Sequence, residues 1–145
     1  MKKIICIIAV VLLIASVVYA QKAKKAGITA KDLAGMKGTY TGMLSLGEME
    51  GGGTTSCTLE ILNDAVPVKG KLTLGSVPAA VASTYGMSTT PEPLTSDDGT
   101  ITSQGTIMFT GPAKNFLEVV KSGDKKVKVN YYFKGMKGDG TLTKK

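Results

Sequence analysis

Enzyme chemistry needs poised acids, bases or nucleophiles, and this chain offers a narrow set. It has eleven carboxylates, two cysteines and five tyrosines, and no histidine, arginine or tryptophan. Without histidine the usual general base near neutral pH is missing, and so is the commonest metal ligand. A Ser-His-Asp or Cys-His nucleophile pair cannot be assembled. Without arginine there is no planar fork to clamp a phosphate or carboxylate.

What remains is carboxylate chemistry. Asp32, Glu48, Glu50, Asp64, Glu92, Asp97, Asp98, Asp124 and Asp139 fall mostly in turn or loop sequence, where solvation is the ordinary fate. Glu60 and Glu118 fall in apolar-alternating runs, on the side opposite Ile61 and Val119. A two-carboxylate glycosidase site is chemically allowed, but no spacing here pairs two carboxylates for it. Asp97-Asp98-Gly99 resembles a fragment of a calcium loop, yet calcium takes six to eight oxygens and the rest of that pattern is missing. Neither catalytic residues, nor a metal site, nor a cofactor is expected.

Cys6 lies within the apolar leader, so a mature chain would keep only Cys57. One thiol makes neither an internal disulfide nor a structural zinc site. Cys57 alternates with Leu59 and Ile61, which predicts a buried thiol acting as a small apolar side chain.

The leader itself is a compartment signal. Lys2 and Lys3 precede an apolar run from Ile4 to Val18, and Val18-Tyr19-Ala20 supplies small residues at a cleavage site. That order describes a secretory signal peptide over residues 1–20. The run is short for a hydrocarbon core that needs roughly 20 apolar residues. The expected mature chain starts at Gln21 and is secreted or periplasmic. Of the net charge of +7, +2 lies in the leader, +3 in a basic and flexible lead-in over 21–36, and +2 in the chain from Lys37 onward. Weak contact of this tail with an anionic envelope surface is expected at most. Lys121, Lys125, Lys126 and Lys128 cluster around one hairpin, but lysine on outward strand faces is ordinary, and nucleic acid is not an expected partner.

From Lys37 the apolar pattern takes a period of two, the mark of half-buried antiparallel strands. It runs through Lys37–Leu46, Thr54–Asn63, Val66–Leu74, Thr100–Thr110 and Val127–Phe133, with weaker runs at Asn115–Lys121 and Gly138–Thr143. Short turn sequences such as Asn63-Asp64 and Gly135-Met136-Lys137 connect several of them, whereas Glu48–Thr54 reads as a mobile tip. Seven strands are visible and an eighth has room between Gly75 and Gly99. The expected domain, 37–145, is an all-β antiparallel meander of seven or eight strands closing into a small, complete or partly open, up-and-down barrel. Lys-Gly or Gln-Gly pairs recur at Gly38, Gly70, Gly105 and Gly138, either as an echo of a hairpin repeat or by coincidence in a glycine-rich chain. An outer-membrane barrel is disfavoured, because one face of each strand carries Lys, Thr and Asn.

In outline this resembles the lipocalin-like (calycin) barrels. Gly38-Thr39-Tyr40 stands where such families often have Gly-x-Trp on the first strand. The tryptophan is absent, and no matching basic residue is evident near the end of the barrel. The resemblance covers three residues and carries no ligand or site with it.

The segment Gly75–Gly99 is long for a compact domain, and such segments are often lids or binding loops. Ser76 and Pro78 open a short helix, with Val77, Ala80, Val81, Thr84 and Tyr85 on one face, and Thr89–Asp98 reads as plain loop. The expected function is a non-catalytic exported binding protein, taking a small apolar ligand in the barrel or under this loop. Tyr40, Tyr85, Met87 and Tyr131 are the candidate contacts, since tyrosine is amphipathic and methionine adapts its shape. The expected interior wall adds Leu44, Leu59, Leu72, Ile107 and Val129. Two alternatives remain: an envelope interaction protein or inhibitor acting through loops, and a carboxylate-based enzyme.

Overall fold

In the computed structural model, which describes residues 27–47 and 52–145, eight antiparallel strands follow one another around a closed barrel. They are β1 (Gly38–Leu46), β2 (Gly53–Ile61), β3 (Val68–Leu74), β4 (Leu94–Ile101), β5 (Ile107–Thr110), β6 (Phe116–Gly123), β7 (Lys126–Phe133) and β8 (Met136–Lys144). Each pairs with the next, and β1 pairs with β8 to complete the ring. The two helices are short: α1 (Leu33–Met36) precedes the barrel, and α2 (Ala79–Tyr85) lies between β3 and β4. None of the helices described is long and apolar enough to cross a membrane. The leader and the Glu48–Gly51 tip lie outside the described residues.

The alternation read from the sequence sets the inside and outside of the wall. In β7, Val127, Val129 and Tyr131 are buried while Lys126 and Lys128 are exposed. Tyr40, Leu44, Leu59, Leu72, Ile107 and Val129 join one continuous core, each at 2% exposure or less. Burying a side chain of this kind contributes about 1.5–3 kcal/mol, so the core carries most of the fold's stability.

Three strand readings need correction. Val66 was expected on the inward face of the third strand but is 51% exposed. It precedes a cis Pro67, in a turn gathered by Asn63, whose side chain donates to Ala65 O and Pro67 O and accepts from Lys69 N. The run Thr100–Thr110 is not one strand. It is a hairpin in which Ile101 faces Ile107 across a turn held by Thr102, Thr106 and Gly105. Leu94–Asp98, expected as loop, forms the first part of β4 and supplies the eighth strand. The four recurring glycines do not share one place: Gly38 opens β1, Gly70 and Gly138 are each the buried third residue of a strand, and Gly105 sits in a turn at φ +71°.

The two ends of the barrel differ. At one end, the part of the expected lead-in that is described, residues 27–36, is docked rather than free. Ile28, Leu33 and Met36 are buried, at 4% exposure or less. Ile28 N donates to Gly105 O at 2.7 Å. The Asp32 carboxylate accepts from Thr29 N and Thr29 Oγ1 and pairs with Lys121 Nζ at 3.0 Å. Those contacts, the Thr29 hydroxyl foremost, hold Asp32 well below the usual carboxylate range.

At the other end lies α2. Its buried positions are Val81 and Ala82, with Val77 just before it, whereas Ala80 and Thr84, expected on the packed face, are exposed. Gly86 ends the helix in the left-handed region (φ 60°), so that Met87 N can donate back to Ala82 O.

Candidate functional site

Between β4 and β5 the barrel wall parts. These strands pair only at Thr100–Met108 and Ile101–Ile107. Above that point β4 stays with β3, through Leu94–Leu72, Thr95–Lys71 and Ser96–Gly70, while β5 stays with β6. A β-bulge adds a residue to β4 between Ser96 and Gly99 and bends the strand at Asp97-Asp98. The result is a half-open cleft of about 450 Å³ at the α2 end of the barrel. That lies within the range typical of small-molecule sites.

Aromatic side chains dominate the cleft. All three phenylalanines of the chain line it, Phe109, Phe116 and Phe133, together with Tyr131 and Tyr132. Phe109 lies at the bottom, its ring over Gly70 and Gly99, neither of which could hold a Cβ without collision. Phe116 and Tyr132 are cross-strand partners with rings stacked at 5.3 Å and 13°. Tyr131 and Phe133 stack at 6.1 Å and 6°. Leu72, Leu94 and Leu117 complete the apolar surface, with Leu94 (42%) and Phe116 (37%) the open rim. Asp97, Asp98 and Asn115 are on the polar side. Asp98 accepts a hydrogen bond from Ser96 Oγ, and Asp97 stands 3.9 Å from Lys69 Nζ with both side chains largely in solvent. A smaller hollow of about 280 Å³ adjoins the cleft, sharing Leu72, Leu94, Tyr131 and Phe133 with it and adding Met87 and Lys134.

The four residues expected to contact a ligand do not converge. Tyr131 lines both the cleft and the hollow; burial first, and the nearby Cys57 second, push its phenol up to about 12. Met87 lines the hollow only. Tyr85 packs against the core and borders neither space. Tyr40 lies at the opposite end of the barrel, where its hydroxyl donates to Met36 O at 2.8 Å and burial raises its pKa. The sequence reading missed Leu94, Phe109, Phe116, Tyr132 and Phe133. The available signal was that every phenylalanine falls between 109 and 133, in three successive strands.

Tyr40 has a further partner. The Lys144 ammonium lies 5.9 Å from its ring centroid and donates to Gly35 O at 2.7 Å. A basic residue near the end of the barrel therefore does meet the aromatic residue of Gly38-Thr39-Tyr40.

Among the carboxylates, Glu118 accepts from Asn130 Nδ2 at 2.8 Å and Glu60 lies 3.8 Å from Lys71 Nζ, both on the outer wall. Among the described residues no group of three or more Cys, Asp or Glu side chains is placed to hold a metal ion. Fold and cleft thus define a small closed up-and-down β-barrel with an aromatic mouth. The chain matches no protein-family model, and comparison with curated proteins finds no significant relative.

Proposed function

We propose that this protein is an exported, non-catalytic binding protein that takes a small apolar ligand in the aromatic cleft that opens between β4 and β5. The single observation that carries this reading is the gathering of five of the chain's eight aromatic side chains around one half-open cleft. Water-exposed apolar surface of that kind is costly unless something covers it, and Leu94 and Phe116 are left uncovered at the rim. Export rests on the leader over residues 1–20. A carboxylate-based enzyme has less support, because Glu60 and Glu118 are held on the outer wall and Asp97 and Asp98 lie at an open rim.

The test is a titration with N-phenyl-1-naphthylamine, a neutral fluorophore that brightens in apolar surroundings. Saturable brightening is expected, weakened several-fold by Leu94→Ser, whose exposed position leaves the core intact. If the native protein gives no more brightening than the heat-unfolded chain, or if Leu94→Ser changes nothing, the reading is wrong.

A further inference from the structure

The ligand class follows from what surrounds the cleft, and this inference rests on the binding reading above. The chain carries eighteen lysines against eleven acids, yet among the described residues no lysine lines the cleft. The charged residues that line it, among those described, are Asp97 and Asp98. Five aromatic side chains line the same space, and the exposed faces of such rings attract cations. Lys134, on the adjoining hollow, already holds its ammonium 5.6 Å from the Phe133 ring centroid, with Gly86 O as acceptor, so Phe133 is not counted toward the site of the cationic head. Lys69 pairs with the rim carboxylate of Asp97 at 3.9 Å, and this pair is solvent-exposed and therefore weak.

We propose that the cleft binds an organic cation: a protonated or quaternary amine carrying an apolar body. The apolar body lies against Leu72, Leu117 and Phe109, and the cationic head sits at the rim between the Phe116–Tyr132 stack and the carboxylates of Asp97 and Asp98. The bulge in β4 is what brings both carboxylates to this rim, since it inserts the extra residue at that point of the strand. A fatty acid of the same length would set its carboxylate against two like charges.

The test compares two amphiphiles of equal chain length, dodecyltrimethylammonium and dodecanoate, titrated calorimetrically below their micelle concentrations. The overall positive charge of the protein favours the anion, so a preference for the cation must come from the site. The cation is expected to bind roughly tenfold more tightly. Asp97→Asn with Asp98→Asn should reduce that preference to about threefold or less, and Lys69→Gln, which frees Asp97, should increase it. If the double variant loses its cooperative thermal transition, Asp97→Asn alone carries the comparison, since that side chain is 83% exposed. Equal or tighter binding of dodecanoate overturns the cationic ligand and leaves the apolar cleft standing. Binding of neither amphiphile, with no response to N-phenyl-1-naphthylamine, overturns both. Cation binding that is indifferent to all these substitutions places it elsewhere on the surface and also overturns the proposal.

Discussion

The ring of Phe109 fills the space that Gly70 leaves empty: a Cβ on the glycine would stand 2.8 Å from Phe109 Cζ. Gly99 bounds the same ring from β4, and a Cβ there would meet Phe109 Cε1 at 2.5 Å and the Val68 carbonyl oxygen at 2.7 Å. The bottom of the cleft is thus a phenylalanine held between two strands that have no side chain to offer.

Alanine at either glycine should therefore destabilise the barrel by about 1–3 kcal/mol through overpacking. The two should differ in order. Gly70→Ala meets only ring atoms, and the ring can swing toward the cleft. Gly99→Ala also meets backbone, which cannot yield without parting β3 from β4. Thermal melts should rank Gly99→Ala as the less stable, and equal or reversed melting temperatures would contradict this packing. Gly70→Ala should also shrink the cleft and weaken N-phenyl-1-naphthylamine binding.

Cys57 is 2% exposed and unpaired, and burial pushes its thiol up to about 12. A thiol reagent should react slowly with the native protein and fully in denaturant. The shift also sets a pH dependence. The thiol of Cys57 and the phenol of Tyr131 both have folded-state values above their ordinary ones, 9.0 and 10.0. The fold then favours the protonated forms, and their contribution is complete below those ordinary values. Above them the unfolded chain releases protons first, and stability falls as pH rises toward about 12, by at most about 1.4 kcal/mol per pH unit for each group. Denaturant melts between about pH 8 and pH 11 should show this decline, and Cys57→Ala should remove the thiol's part of it. A flat profile would rule out the burial argument for both groups.

Asp32 ties the segment before β1 to the barrel through Thr29 and Lys121. Its lowered pKa means that this tie is present above the ordinary carboxylate range and is lost only as the medium becomes strongly acidic. Asp32→Asn should speed amide exchange at Ile28, whose N–H is held by Gly105 O, while leaving β6 and β7 protected. Unchanged exchange at Ile28 would show that burial of Leu33 and Met36 alone holds the segment.

The strands that bury one face were legible from residue types, because alternation and burial are the same fact in a barrel wall. Val127, Val129 and Tyr131 required no further information. The β4–β5 hairpin was not legible. Ile101 and Ile107 are direct partners on one face, an even number of positions apart, so period two continues unbroken through the turn. Leu94–Asp98 was hidden for the opposite reason. Backbone pairing to β3 holds this stretch, and its side chains are mostly exposed, so no apolar pattern marks it. The cleft follows from both omissions: it opens where β4 and β5 separate, and a reading without β4 had no gap to find. Tyr131 was found because it alternates with the core, whereas Phe116 and Tyr132 alternate away from it and meet only through cross-strand register.

The ring is closed by its first and last strands, through pairs such as Tyr40–Lys144 and Gly42–Leu142. About a hundred residues separate these partners along the chain. During synthesis, β1 therefore emerges long before the strand that completes it, and until β8 exists one of its edges has no neighbour. Contacts this remote in sequence are slow to form, and an unpaired strand edge invites the wrong partner while it waits. Between the making of Tyr40 and the making of Lys144, that edge of β1 is open to pairing with a second copy of the chain.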